Sequence, residues 1–576
     1  MRGTPGPPRQ SARVDPPDSR VARKATVVAR PTTSAAPGPA AGEPALTGLS
    51  ALTRPGAAGH AGEGGHAVES RFPRLTAEDL INLAAEGPDT PIHVAAIAVL
   101  DGTTLGDPAG RPRLAEIRAA VEARLARVPR LRQVIRPSGP FGGRPVWVDA
   151  PRFRIADHVG VAELPPPYDE GALLRLAERL LVPVLDRSRP LWRMWLIPGL
   201  PDGRMAVMFL LHHVVADGMA AIRMVTTLLG DTPPHPDPTI GPGPTPLPET
   251  PPHPGPTIGP GPTPLPESTP HPDPSWRPRP APRWRALVAD RLRDLRPAPP
   301  VRRTGSPLPG LRMLGAAWRS PRTSLNVPLT PGRRLVVLPF PLAEARTVAH
   351  RYGATVNDLI LALAAGGVRA LLRSRGEPAD RLWLNCTVAV SLRAGSAGPD
   401  GNRTGAMLVR LPVAAGQPAD RLRAVTAATA RAKGEQSVTA ANGILVALAR
   451  LGLVRWFSRR QHVTALVESN MTGPVTPIRL LGAPVRRVIA VGNLAGNVAL
   501  SVVALSYAGE LTVTVQAGAD GFPDLPTLVA GIRQDWATLA AGCHPSGAGG
   551  VPAGGGPRAG AAAGDLRAGR NRRPMT

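Results

Sequence analysis

The sequence predicts an α/β protein of two lobes of similar size. Three observations predict it. Strand-length apolar runs alternate with helically spaced ones over two stretches, 71–231 and 335–541. A proline-rich repeat and a basic segment separate them. The 576 residues exceed one ordinary domain, and a hydrophobic fraction of 43% suffices for a sizeable core. With aromatics at only 3%, that core must be built from Leu, Val and Ala.

Taken in order, residues 1–70 read as a disordered tail rich in Ala, Pro, Gly and Arg, without the apolar stretch of a secretory signal. Ile92 to Leu100 reads as a buried strand closed by Asp101-Gly102. Leu114 to Val128 has helical spacing through Ile117, Val121, Leu125 and Val128, and Leu173 to Leu181 is a second helix. Met205 to Leu211 is continuously apolar, as expected of a strand covered on both faces.

Residues 232–276 carry an internal repeat. Pro-His recurs at His235, His253 and His271, and the text Pro-Thr-Ile-Gly-Pro-Gly-Pro-Thr-Pro-Leu-Pro-Glu appears twice. Such a tract is extended or disordered, a linker rather than a solenoid. Residues 277–334 are basic, with 14 arginines against Asp290 and Asp294. Nearly half of the net charge of +26 therefore sits in about a tenth of the chain.

Within the second lobe, Leu335 to Phe340 reads as a strand. Thr355 to Leu372 reads as a helix apolar nearly all round, with Thr355 as N-cap. Trp383–Val390, Val485–Val491, Val498–Ser506 and Leu511–Gln516 read as strands. The charge-free stretch Val488–Gly509 carries Gly492, Asn493, Gly496 and Asn497, which favours strand, turn, strand over a membrane span. Residues 542–576 form a Gly/Ala/Arg tail read as disordered.

The chemistry is expected at His212-His213-Val214-Val215-Ala216-Asp217-Gly218. A strand runs into two histidines, and a helical pattern follows at Met219, Ile222, Val225 and Leu228. Asp217 stands where an N-cap belongs, and Gly218 allows close backbone approach. A histidine held on such a turn can accept and return a proton near neutrality. Transfer of an acyl group from an activated thioester to an alcohol requires that service and no covalent enzyme intermediate. His213 is the expected base. His212 should point away from it, because successive strand side chains alternate, and so takes an orienting or packing role. The same alternation disfavours a two-histidine metal site. Packing alone is the plainer reading of a bare His-His pair; the Asp-Gly and the strand-turn-helix context favour catalysis.

With that motif in place, the sequence resembles the bacterial wax ester synthase/diacylglycerol acyltransferase family from about Leu75 to Asp524. The segments that carry the resemblance stand in family order. They are Thr90–Val94, Arg127–Gln133, Pro190-Leu191-Trp192, His212–Gly218, Ala354–Asp358, Val390–Arg393, Gly401-Asn402-Arg403 and Gly496–Ser501. The resemblance implies two chloramphenicol-acetyltransferase-like lobes with a channel between them. It also implies that His213, with His212 and Asp217, carries an acyl-CoA-dependent O-acyl transfer. Acyl-CoA is then a substrate, no cofactor or metal is implied, and the acceptor is diacylglycerol or a long-chain alcohol. Gly218, Pro190, Leu191, Trp192, Asn357, Asp358, Arg393 and Asn402 are the expected structural or channel residues. Trp192 reads equally as a core residue at a strand start, Asn357 and Asp358 as hydrogen-bonded groups near the active-site turn, and Arg393 as an ion partner for Asp217. Two positions depart from the family pattern: Ala389 where proline is common, and Met471-Thr472 in place of Val-Pro. They put substrate preference in doubt more than activity.

In the basic segment, Trp284, Leu287, Val288, Leu292 and Leu295 share one helical face among arginines. Such a helix either docks on an anionic membrane surface or lipid droplet or packs on the lobes as a crossover. The expected location is cytoplasmic, peripheral to the membrane. Cys386 and Cys543 are too few for a disulfide framework or zinc site. The arginines lack interleaved aromatic platforms, which argues against nucleic acid. Two rivals remain: a condensation-type acyltransferase with another acceptor, and a non-catalytic lipid-binding relative.

Overall fold

The computed structural model describes residues 72–231, 276–294, 320–391, 404–434 and 448–543. The expected tails and the proline-rich repeats lie outside them. The N-terminal half supplies α1 (Ala77–Ala85), β1 (His93–Asp101), α2 (Leu114–Arg124), β2 (Gln133–Arg136), β3 (Val146–Asp149), β4 (Val159–Val161), α3 (Glu170–Leu180), β5 (Trp192–Ile197), β6 (Arg204–His212) and α4 (Gly218–Leu229). Helix α5 (Trp284–Asp294) follows. The C-terminal half supplies β7 (Arg333–Pro341), α6 (Leu342–Arg351), α7 (Val356–Ser374), β8 (Leu384–Ser391), β9 (Thr404–Leu411), α8 (Pro418–Gly434) and α9 (Val454–Ser458). It continues through β10 (Leu466–Thr472), β11 (Arg479–Leu480), β12 (Ala483–Val491), β13 (Leu500–Tyr507), β14 (Glu510–Gly518) and α10 (Leu525–Ala541).

The expected strands and helices are present with shifted ends. The helix expected over Leu114–Val128 gives way to a 3-10 turn at Leu125–Arg127. Pro129 follows, and a residue before proline avoids the helical region. Thr355 caps α7 in a reciprocal capping box with Asp358.

Two six-stranded sheets organise the molecule, in the orders β11-β12-β1-β6-β5-β4 and β7-β14-β13-β10-β8-β9; β2 and β3 form a separate hairpin. One expectation needs correction. Residues 335–541 were expected to form the second lobe alone, yet β11 and β12 lie in the first lobe's sheet. β12 pairs antiparallel with β1, placing Ala95 opposite Val491 and Ile97 opposite Ile489. The chain then returns, and β13 joins the second sheet. The physical reason is burial. β1 is apolar from Val94 to Leu100 and needs a partner on each edge, and β12 covers the edge that β6 leaves open.

Each sheet carries its own core. In the second lobe α7 is buried nearly all round, against α8, α10 and the sheet. Small residues let α7 and α10 approach: a Cβ on Gly367 would meet the Leu528 carbonyl at 2.7 Å. Among the described residues no single helix is long and apolar enough to cross a membrane.

Candidate active site

Strand β6 delivers the motif. It is buried between β1 and β5, and its register sets His212 opposite His93. The ladder continues one residue further, where the His213 amide donates to the Ile92 carbonyl at 2.8 Å. The chain turns there, with the Val215 amide donating to the His212 carbonyl at 2.9 Å. Asp217 is buried and its carboxylate accepts from the Ala220 amide at 2.8 Å, capping α4. It thus anchors the turn through a backbone amide, as a capping residue does.

The two histidines face different surroundings. His213 lines a cavity of about 180 Å³ between the sheets, together with Asp217 and Gly218. Burial pushes its pKa down; a hydrogen bond to its own backbone and the charges of Asp217 and Asp79 act the other way. A lowered pKa keeps the imidazole neutral near pH 7, as a general base requires.

His212 is fully buried and does not line the cavity. Its Nδ1 accepts from the Val214 amide at 2.9 Å, and its Nε2 lies 3.1 Å from Glu86 Oε1. The other oxygen of Glu86 accepts from Arg187 at 2.7 Å. Burial alone would raise the Glu86 carboxyl, but His212 and then Arg187 outweigh it and hold the pKa down at about 2. His93 packs edge-on against His212, with ring centroids 6.2 Å apart. Burial, and then the charge of His212, lower its pKa to about 4. This buried polar layer braces the turn from behind.

The cavity wall is mostly apolar. Val94 and Ala96 of β1, Phe209 and Leu211 of β6, and Ile222 and Val225 of α4 form one side. The second lobe contributes Val467, Met471, Val503 and Leu505, with polar groups at Ser469, Asn470, Asn493 and Ser501. Gly218 has a steric reason: a Cβ there would meet Met471 Sδ at 2.6 Å. Ala96, Phe209, Ile222, Val225 and Leu505 also line a second, adjacent cavity of about 50 Å³, which is walled further by Ala98, Val207 and Tyr507. Among the described residues no cluster of His, Cys, Asp or Glu is arranged to hold a metal ion.

Residues 75–360 match the wax ester synthase/diacylglycerol acyltransferase catalytic domain, and residues 400–539 match the C-terminal domain of the same family. A probable diacylglycerol O-acyltransferase of Mycobacterium tuberculosis is 31% identical over 481 residues, spanning 81% of this chain and 96% of its own. The chain belongs to the wax ester synthase/diacylglycerol acyltransferase family. It is an acyltransferase. A putative diacylglycerol O-acyltransferase from the same organism is 28% identical over 466 residues, covering 78% of this chain and 87% of the relative. The fold is that of the wax ester synthase/diacylglycerol acyltransferase from Marinobacter aquaeolei VT8, with a TM-score of 0.56 at 22% identity, covering 82% of this chain and all of that one. A condensation domain of the calcium-dependent antibiotic synthetase shares it, with a TM-score of 0.51 at 16% identity over 81% of this chain and 96% of that one.

In this acyltransferase the other expected residues scatter. Trp192 is a core residue at the start of β5, its indole N–H donating to the Leu131 carbonyl at 2.8 Å. Leu191 is buried, and its carbonyl accepts from the His212 amide at 3.0 Å. Pro190 and Trp192 border a different cavity of about 540 Å³. Asp358 caps α7 and accepts from the Thr429 hydroxyl at 2.7 Å; neither it nor the half-buried Asn357 lines the cavity at His213. Both residues stand in the first turn of α7 in the second lobe, where Asp358 is buried. Arg393 and Asn402 lie outside the described residues. Ala389 and Met471, the two departures from the family pattern, both line the cavity.

The expected apolar face of the basic helix is divided. Leu287 is buried against Val134, Val146 and Val148 of the β2–β3 hairpin, and Asp290 beside it pairs with Arg74 at 3.0 Å. Trp284 and Leu292 are each 62% exposed, Val288 is half-buried, and Leu295 lies outside the described residues. Leu287 therefore belongs to the packed side. Helix α1 was missed in the sequence. It sets Asn82 at 3.4 Å from His213 Nδ1 and ends at Glu86.

Proposed function

We propose that this acyltransferase moves a fatty acyl group from acyl-CoA to the hydroxyl of diacylglycerol, making triacylglycerol, with His213 as general base. The observation that carries the reading is the placement of His213 in the wall of a mostly apolar cavity, with a second apolar cavity adjoining it at Ala98 and Val207. Strand β1 rises five residue steps from the level of His93 to that of Ala98, about 17 Å at the usual strand rise. An extended alkyl chain suits such a path. His213 takes the hydroxyl proton as the oxygen attacks the thioester carbonyl. The C–S bond then breaks, the ester C–O bond is complete, and the imidazolium returns its proton to the CoA thiolate. Ser469, Asn470, Asn493 and Ser501 supply donors for the charge that develops on the carbonyl oxygen. The names of the Mycobacterium tuberculosis relatives favour diacylglycerol as acceptor. A long-chain alcohol, giving wax ester, is the second reading, favoured by the apolar wall and by the name of the Marinobacter protein.

The enzyme works at the cytoplasmic face of a membrane or on lipid droplets, where both acceptors dissolve. The outward side of α5 supports this, with Trp284 and Leu292 exposed among Arg283, Arg285, Arg291 and Arg293.

The test of the reaction is ester formation from palmitoyl-CoA with diacylglycerol or hexadecanol, beside a folded His213→Ala variant. Transfer that falls by at least about a hundredfold in the variant supports the base. Equal rates in both proteins would remove His213 from the mechanism.

A further inference from the structure

Helix α1 lies beside the His-His turn and presents it with a polar stripe. Glu78, Asn82 and Glu86 recur at four-residue spacing and so share one helical face. Leu80 and Leu83 pack on the first lobe's core, and Ala84 and Ala85 against Ile92 and Val454. The stripe engages both histidines: Glu86 Oε1 lies 3.1 Å from His212 Nε2, and the Asn82 amide lies 3.4 Å from His213 Nδ1. A threonine capping box at Thr76 and Asp79 fixes where the helix starts.

The chemistry decides how Asn82 is oriented. The His213 ring bonds to its own backbone. That bond raises the ring's pKa, so the ring is the donor in it; Nδ1 is the ring nitrogen nearer the main chain and can reach its own carbonyl, which leaves Nε2 to receive a proton. An amide nitrogen donating to Nδ1 would demand the opposite tautomer. Turning the Asn82 amide about its axis puts Oδ1 in place of Nδ2 at no steric cost, since the two are nearly the same size.

We propose that Asn82 is a positioning residue for the reaction: its amide carbonyl shares the Nδ1 proton of His213 with the backbone carbonyl and helps hold the ring in the tautomer whose Nε2 acts as base. This rests on His213 being that base. The titratable groups around the ring are Asp217 from the turn, His212 from β6 and Asp79 from α1, with Glu78 next to Asp217. Asn82 is the neutral member of the set, able to hold the ring without adding charge.

The test uses the full chain with ring-15N-labelled histidine, the His213 signal being assigned by its loss in His213→Ala. The parent shows the Nδ1–H tautomer. Asn82→Leu raises the share of the Nε2–H form and lowers the His213 pKa. It also reduces kcat about tenfold while KM stays within about twofold. Asn82→Asp moves the pKa the other way, up by about one unit, because a carboxylate favours the charged ring. Opposite shifts from the two variants are not what a packing role produces. An unchanged tautomer and pKa in both variants overturns the proposal. So does a lowered rate without any pKa movement. If Asn82→Leu fails to fold, Asn82→Asp decides alone. The spectroscopic readout needs no turnover: a tautomer that answers to residue 82 in a protein transferring no acyl group would sink the proposed reaction and leave the contact standing.

Discussion

At the scale of single residues, the turn depends on charges that come from far along the chain. Glu86 sits 126 positions before His212, and Arg187 comes from the loop ahead of β5. The Glu86 carboxyl titrates near 2 rather than its ordinary 4.5, so the folded state binds its proton more weakly than the unfolded chain. Its contribution is therefore fully present above about pH 4.5 and is lost as pH falls towards 2. That contribution is on the order of 2 kcal/mol after allowance for solvent at Arg187, which is half exposed. Glu86→Gln keeps the shape and removes the charge. Melting temperatures between pH 2 and 6 should fall steeply for the parent and less steeply for the variant, and parallel curves would show that Glu86 braces nothing. Much of the site's center was legible in the sequence. His213, the cap at Asp217 and the inward turn of His212 follow from alternation and capping, which are local rules. Glu86, Arg187 and Asn82 were not, because no local rule links them to the motif. The four-residue spacing of Glu78, Asn82 and Glu86 was visible, but it reads equally as a solvated helix face until β1 is paired with β6.

At the scale of elements, β10 illustrates what periodicity can and cannot say. Val467, Ser469, Asn470 and Met471 line the cavity, while Glu468 among them is buried in the second lobe's core beside Cys386 and α7. The sequence had no strand assigned over Leu466–Thr472, because a central glutamate and asparagine interrupt the apolar pattern. Burial first, and then the charge of Asp358, push the Glu468 pKa up to about 8. The folded state thus holds this proton more tightly than the unfolded chain does. Stability from Glu468 is fully present below about pH 4.5 and is lost as pH rises through 8. The expected loss is on the order of 3 kcal/mol. Denaturant unfolding of the parent between pH 5 and 9 should show the decline, and Glu468→Gln should lack it and be the more stable protein at pH 8.5. A variant that declines in parallel with the parent would mean the carboxyl is relieved some other way. Helix α7, by contrast, was legible to its first residue, because the threonine cap and the apolar run point to the same boundary.

At the scale of the whole molecule, the two-lobed α/β class was legible but the exchange of β11 and β12 was not. Their residues alternate as any strand's do, and nothing local says which sheet receives them. The consequence reaches the site: β12 brings Ala490 and Val491 to the cavity, and the segment after it brings Gly492 and Asn493. The proposed lipid contact belongs to the same scale. Helix α5 is held to the first lobe by Leu287 in the β2–β3 hairpin and by the buried pair of Asp290 with Arg74. With that side committed, Trp284 and Leu292 point away from the protein, and Phe141 at the hairpin tip is 76% exposed. Each arginine near an anionic surface contributes on the order of 1 kcal/mol, screened as salt is raised. Substituting both outward residues, Trp284→Glu and Leu292→Glu, leaves the Leu287 anchor intact and should leave the melting temperature unchanged. The parent should float with liposomes containing anionic lipid and progressively less so as ionic strength increases. The double variant should stay at the bottom of the gradient. Flotation equal to the parent's would assign α5 to packing alone and send the search for the lipid contact to another face.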